Sequence, residues 1–211
     1  MNIDIPINDI RLSGILHVPH NAVGIVLFAH GSGSSRLSVR NQYVAACLNQ
    51  AMIATLLFDL LTPDEEAVDE MTREHRFNIE LLGERLMAVT QWIREQPATT
   101  QLPISYFGAS TGGGAALYAA AKSQYAISAV VSRGGRPDLA GVALPEVKAP
   151  TLLIVGGLDR PVIEMNEQAM EEMHCIKQLV IVPGATHLFE EPGTLDKVAI
   201  LARDWFRQYF T

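Results

Sequence analysis

The first pattern in this chain that could do chemistry is a serine flanked by glycines. Ser110 stands in the order Gly108-Ala109-Ser110-Thr111-Gly112, after an apolar run that starts at Ile104 and before an Ala/Gly-rich segment of helical character. This is G-x-S-x-G in the context of strand, sharp turn and helix that the pattern requires. The glycines answer a crowding problem: a serine at the top of a strained turn needs neighbours two residues away without side chains, so that strand and helix can approach. Its hydroxyl then projects with a helix N-terminus behind it, a setting that favours negative charge. The chemistry would be nucleophilic attack on an acyl carbon.

A serine hydroxyl is a poor nucleophile near neutral pH unless a base takes its proton and a carboxylate holds that base in one tautomer. The chain offers both. Asp159 follows the apolar run Thr151 to Val155 in Gly156-Gly157-Leu158-Asp159-Arg160-Pro161, and His187 ends the loop Pro183-Gly184-Ala185-Thr186-His187 after the run Gln178 to Val182. Each has an ordinary reading alone: a turn serine, a helix cap or partner for Arg160, a surface histidine. Their chain order, serine then aspartate then histidine, and their shared place just past strand ends favour one site at one edge of a sheet. A tetrahedral intermediate also needs two backbone N–H groups at its oxyanion. Thr111, directly after the serine, and Ser32, in the loop His30-Gly31-Ser32, are the expected oxyanion-hole donors. His30 is expected to hold that loop by a hydrogen bond rather than to act as the base.

The elements that must position these residues follow from the apolar pattern. Ile3-Ile5-Ile7 alternates and Leu12 to Val18 follows the Asn8-Asp9 turn signal, which predicts two antiparallel edge strands. Val23 to Ala29, Met52 to Phe58, Ile104 to Gly108, Ala126 to Val131, Thr151 to Val155 and Gln178 to Val182 predict parallel strands, several of them apolar on both faces. Helices are expected at Asn41 to Gln50, after a Thr62-Pro63 start with Glu65 completing a capping box, at Phe77 to Gln96, after Ser110, at Ile163 to His174 and at Leu195 to Tyr209. The five acids between Asp64 and Glu70 are expected to form a solvated face. This alternation predicts an α/β fold with one mostly parallel sheet of about eight strands, helices on both faces and one domain over residues 1–211.

Composition narrows the function. The 211 residues are 48% hydrophobic and 18% charged, with formal net charge −7, enough for a filled core and not a disordered chain. No basic block interleaved with aromatics points to nucleic acid. The N-terminus lacks the basic and apolar regions of a signal peptide, and no apolar run reaches membrane-spanning length, so no membrane partner and a cytoplasmic location are expected. Cys47 and Cys175 are expected to be reduced, with pairing left open. The six histidines, His17, His20, His30, His75, His174 and His187, show no metal-ligand spacing. Gly31-Ser32-Gly33 lacks the last glycine of a dinucleotide fingerprint. No metal and no cofactor are expected.

With those residues in place, the chain resembles the α/β-hydrolase superfamily, and within it the dienelactone-hydrolase-like group of small enzymes with little cap. The Gly108 to Gly112 elbow, Gly156 to Asp159, Gly184 to His187 and the His30-Gly31 loop carry the resemblance over nearly the full length. It implies Ser110 as nucleophile, His187 as general base and then acid, and Asp159 as the orienting carboxylate. Enzymes called dienelactone hydrolases carry cysteine as nucleophile; serine here favours a serine carboxylesterase. His30 to Arg40 and Ser132 to Ala140 are also similar to a bacterial group of hydrolases, some fused to a phosphoribosyltransferase domain; no such domain is expected within these residues.

The segment between Val131 and Thr151 has room for a loop and a helix turn, not a lid domain, so an open site for small or exposed acyl groups is expected. Arg36, Arg40, Arg133 and Arg136 lie in or beside loops at the same sheet edge and are candidates for binding an anionic group of a substrate; the competing reading is that some brace loops against Asp59, Asp138 or Glu65. Arg73, His75 and Arg76 are weaker candidates at the cleft edge. Thioester or peptide hydrolysis by the same residues, and a non-catalytic binding protein on this scaffold, remain as alternatives. The partner expected is a small-molecule ester, and the exposed edge strand leaves monomer and homodimer both open.

Overall fold

The structure is a computed structural model and describes residues 1–210. Strands β1 (Asn2–Ile7) and β2 (Ile10–His17) form an antiparallel hairpin around Asn8, whose φ of 49° turns the chain. The parallel strands follow: β3 (Gly24–Ala29), β4 (Ile53–Phe58), β5 (Ile104–Ala109), β6 (Ile127–Arg133), β7 (Thr151–Gly156) and β8 (Lys177–Val182). Between them lie α1 (Val39–Gln50), α2 (Pro63–Thr72), α3 (Ile79–Glu95), α4 (Thr111–Lys122), the 3-10 segment Pro137–Glu146, α5 (Arg160–Glu172) and α6 (Thr194–Tyr209). The eight strands make one sheet in the order β1-β2-β4-β3-β5-β6-β7-β8. It is mostly parallel, with its antiparallel pairs at the amino-terminal end and helices on both faces.

Burial explains the pattern. Every residue of β3, β4, β5 and β7 is buried, because helices cover both faces of the central strands, whereas β1 alternates and β8 is half-exposed at the opposite edge. One core lies between the sheet and α3 and α4, with Leu82, Leu86, Val89 and Ile93 of α3 spaced at helical intervals. The other joins Val44 and Leu48 of α1 to Val198, Trp205 and Phe206 of α6 across Phe28, Phe107 and Val131. Helix α4 is buried nearly all round, which its glycines and alanines permit. Thr62 and Glu65 form the expected capping box at α2.

After β3 the chain moves to one side to make β4, then returns to place β5 on the other side of β3. The carboxyl ends of β3 and β5 are therefore neighbours whose following helices, α1 and α4, lie on opposite faces. A crevice opens at such a switch point. Three differences from the sequence-based expectation bear on the site. β6 continues to Arg133, so this arginine is a strand residue with a buried side chain rather than a loop residue. The acidic run on α2 is not wholly a solvated face: Asp69 is buried and accepts hydrogen bonds from the backbone N–H groups of His75 and Arg76 and from Arg76 Nε at 2.7 Å. Helix α5 starts at Arg160, earlier than its apolar stripe suggests, because Pro161 suits a first turn.

Candidate active site

Ser110 occupies the N-cap position of α4 with φ 52° and ψ −122°, a conformation that costs a non-glycine residue roughly 1–3 kcal/mol and persists only where surroundings enforce it. The enforcement is visible in its hydrogen bonds. The Ser110 N–H donates to the Arg133 carbonyl at 3.2 Å, and the Ser110 carbonyl accepts from Gly113 N–H at 2.9 Å and Arg136 N–H at 3.0 Å. A Cβ on Gly108 would lie 2.3 Å from the Gly112 carbonyl oxygen, so only glycine lets the strand and helix meet there.

Asp159 is likewise an N-cap residue, of α5, yet its side chain makes no cap hydrogen bond. Its Oδ2 lies 2.6 Å from His187 Nδ1 instead, and His187 Nε2 lies 3.3 Å from Ser110 Oγ. A proton on Nδ1 donated to the carboxylate leaves the Nε2 lone pair free to accept from the serine hydroxyl. The Asp159 side chain is 14% exposed and the imidazole 38%, so the carboxylate is sheltered while the ring faces outward. The histidine loop is fastened by a residue absent from the sequence reading: Glu191 accepts from Thr186 N–H at 3.0 Å and Thr186 Oγ1 at 2.6 Å, bonds that lower its carboxyl pKa. Asn166 was also missed. Its buried Nδ2 donates to the Gly135 carbonyl at 3.0 Å and the Val162 carbonyl at 2.7 Å, tying the loop after β6 to α5. A surface carboxylate five residues from its partner and an asparagine inside a helical stripe give no distinctive sequence signal.

His30 behaves as a strut. Its Nδ1–H donates to the Gly31 carbonyl at 2.9 Å and its Nε2 accepts from Leu60 N–H at 3.0 Å, the bonding of one neutral tautomer. Burial lowers its pKa below the ordinary 6.5, which keeps it in that form. The loop it holds lies against the elbow, with a Cβ on Gly31 reaching within 3.1 Å of Ser110 Cβ. The Ser32 N–H donates to Thr111 Oγ1 at 2.8 Å. Of the two expected oxyanion donors, the Ser32 amide is thus occupied by a neighbouring hydroxyl, and the Thr111 amide stands in the first turn of α4.

The four arginines divide. Arg36 braces the loop, donating to Asp59 through its backbone N–H at 2.7 Å and through Nη1. Arg136 donates to Asp138 through Nε at 2.8 Å and Nη2 at 2.7 Å. Arg40 Nη1 reaches Glu190 at 3.2 Å. Among the described residues, Arg133 Nε and Nη1 are buried without a hydrogen-bond partner. Among the weaker candidates, only Arg76 lines the cleft beside the Gly31–Ser34 loop, a small cavity of about 90 Å³ walled by Leu60, Leu61, Glu66, Glu70 and Thr111. Burial and the carboxylates of Asp59, Glu70 and Asp69 push the Glu66 pKa up. Among the described residues, both cysteines are free, no group of three or more His, Cys, Asp and Glu is gathered to hold a metal ion, and no helix is long and apolar enough to cross a membrane.

The sequence matches the Dienelactone hydrolase family over residues 19–209. The crystal structure of a dienelactone hydrolase from Anabaena variabilis is 59% identical, covers 99% of this chain and 97% of its own, and superposes with a TM-score of 0.97. Est1E from Butyrivibrio proteoclasticus shares the fold at 17% identity, with a TM-score of 0.82 and coverage of 99% and 98%. Two Mycobacterium tuberculosis proteins, from strains CDC 1551 and H37Rv and provisionally named phosphoribosyl transferases, are 60% identical over 197 residues. That match takes in 93% of this chain and 44% of theirs, so the chain spans less than half the length of these curated relatives. On its near-complete family match and its close likeness to a crystal structure of the same name, this chain belongs to the dienelactone hydrolase family.

Proposed function

We propose that the protein is a serine hydrolase that cleaves small or exposed carboxylic esters through an acyl-enzyme. One observation carries this reading: the continuous chain from Ser110 Oγ to His187 Nε2 at 3.3 Å and from His187 Nδ1 to Asp159 Oδ2 at 2.6 Å. His187 takes the serine proton as the oxygen attacks the ester carbon, and Asp159 stabilises the imidazolium that forms. The Thr111 N–H and the Ser32 N–H receive the oxyanion, the latter exchanging its bond to Thr111 Oγ1 for one to the substrate. His187 then gives its proton to the departing alcohol, and the sequence repeats with water to release the acid.

Serine in place of cysteine favours a serine carboxylesterase over the dienelactone activity in the family's name. The residues gathered here are those of acyl transfer, so phosphoribosyl transfer, the activity in the names of the longer relatives, is not extended to this chain. The test is hydrolysis of p-nitrophenyl esters of increasing acyl length, with a thioester and an anilide alongside. Ester turnover is expected to exceed anilide turnover, to fall with chain length, and to vanish in Ser110→Ala. Preference for the thioester would replace the ester by a thioester as substrate, and no turnover of any member would favour a non-catalytic scaffold.

A further inference from the structure

The cavity of about 90 Å³ beside the oxyanion loop has no role yet in the proposed reaction. Both expected oxyanion donors stand in its wall, Ser32 from the loop after β3 and Thr111 from the first turn of α4. Gly31 is in the wall too, and a Cβ on it would lie 3.1 Å from Ser110 Cβ, so the cavity reaches the edge of the nucleophile. Neither Ser110 nor His187 lines it. The rest of the wall includes Leu61 after β4, Leu82 of α3, and Glu66 and Glu70 of α2.

These walls decide which half of an ester the cavity would meet. The ester carbon must sit between Ser110 Oγ and the two N–H groups that receive its oxygen, with its other two substituents on different sides. His187 has to reach the alcohol oxygen to protonate it, which puts the alcohol on the histidine side. A cavity that touches the oxyanion donors but not the histidine therefore receives the acyl chain. A water-sized group takes about 30 Å³, so there is room for roughly three heavy atoms beyond the carbonyl. The charge of the wall is one-sided. Asp59 is paired with Arg36, and Asp69 with Arg76 at 2.7 Å, so both arginines are committed. Among the described residues Glu66 and Glu70 make no ion pair, which leaves the α2 side negative. Burial, together with the carboxylates of Asp59, Glu70 and Asp69, outweighs the Arg76 charge and pushes the Glu66 pKa up. A carboxylate entering here would add to that crowding of like charge, and an ammonium group would relieve it.

We infer that this cavity is the acyl pocket, sized for a chain of about three heavy atoms, and that Glu66 and Glu70 make it favour a chain ending in an ammonium group over its neutral isostere. The inference rests on the serine-hydrolase reading and names its substrate class, esters of short amino acids. Leu61 and Leu82 supply apolar wall for the methylene stem, and the two glutamates supply acceptors for its charged end.

The experiment measures kcat/KM for phenyl butyrate, phenyl hexanoate and the phenyl ester of β-alanine, whose chain matches butyrate in length but ends in an ammonium group. The enzymes are the wild type, Glu66→Gln, Glu66→Gln combined with Glu70→Gln, Leu61→Ala and Ser110→Ala. In the wild type butyrate should exceed hexanoate by about tenfold, and Leu61→Ala should narrow that gap. The ratio of the β-alanine ester to butyrate should fall about threefold to fivefold in Glu66→Gln and further in the double variant. Raising the ionic strength should lower the same ratio in the wild type and leave it nearly level in the double variant, a response that a merely structural glutamate would not give. Equal turnover of butyrate and hexanoate would overturn the acyl-pocket assignment, and a ratio unchanged in the double variant would overturn the charge preference. Neither glutamate is buried, so their variants keep the inference open to refutation even if Leu61→Ala fails to fold. Loss of butyrate hydrolysis in Ser110→Ala reports on the serine-hydrolase reading separately. Butyrate turned over through Ser110 with unchanged ratios would sink the pocket alone, and no turnover through Ser110 would sink both.

Discussion

Replacing Gly112 with alanine adds one methyl group where the structure leaves no room for it. Gly112 lies in the first turn of α4 with no positive φ, so the demand for glycine there comes wholly from contact. A Cβ would sit 2.1 Å from the Ala29 carbonyl oxygen and 2.5 Å from that of His30, both fixed backbone atoms at the end of β3. Real Cβ atoms essentially never approach closer than 3.0 Å, so β3 and α4 must part by close to an ångström. Overpacking of this kind costs about 1–3 kcal/mol, which in a protein of this size lowers Tm by roughly 2–12 °C. The same shift moves the His30-Gly31-Ser32 loop away from Ser110, and a misplacement of about 1 Å costs on the order of 100-fold in rate. Gly83→Ala is the control. Its Cβ meets the Tyr118 ring at 2.4 Å, on α3 and away from the site, and the partly exposed ring can swing aside. The assay is thermal melting together with kcat/KM for p-nitrophenyl acetate at a temperature where every variant is folded. Gly112→Ala should lose about two orders of magnitude in kcat/KM while Gly83→Ala keeps the wild-type value. A folded Gly112→Ala within a few-fold of wild type would refute the argument that this contact sets the distance between loop and nucleophile.

Three further predictions follow from single contacts. Asp159→Asn keeps the shape of the site but favours the wrong imidazole tautomer, so kcat should fall by roughly 10³–10⁴ with little change in KM; steady-state kinetics on the folded variant check it. Thr111→Val removes the oxygen that the Ser32 N–H meets at 2.8 Å, which loosens the loop; kcat should drop about tenfold, and Thr111→Ser should restore it. Asp69 faces a burial penalty, but hydrogen bonds from Arg76 and His75 and the Arg76 charge outweigh it and hold the carboxyl below its ordinary 3.8. Its contribution to stability is therefore present above that value and lost as pH falls through the lowered one. Urea midpoints taken toward acid pH should decline less steeply in Asp69→Asn than in the wild type.

The parts of this molecule legible in its sequence are those with a local cause. β3, β4, β5 and β7 read as strands because unbroken apolar runs of their length fit only a sheet covered on both faces, and α2 was placed by the Thr62, Pro63 and Glu65 signals. Ser110, Asp159 and His187 could be grouped because each follows a strand, and parallel strands bring their carboxyl ends to one edge. What escaped notice depends on partners distant in the chain. Arg133 read as a loop residue, since nothing local reveals that β6 runs on through Ser132 or that no acid waits for the guanidinium. Asp69 looked like one more surface acid until Arg76 folded back to it. The bond between the Ser32 amide and the Thr111 side chain joins residues 79 positions apart, and no spacing rule predicts it.

The measurement that bears most directly on the central claim is covalent trapping of the nucleophile. The protein, treated with a fluorophosphonate and digested, should carry one phosphonyl group, on the peptide that contains Ser110. Labelling should be absent in Ser110→Ala and strongly slowed in His187→Ala and Asp159→Asn, because the hydroxyl attacks only when His187 accepts its proton. Labelling at another residue, or of Ser110 at an undiminished rate without His187, would contradict the account.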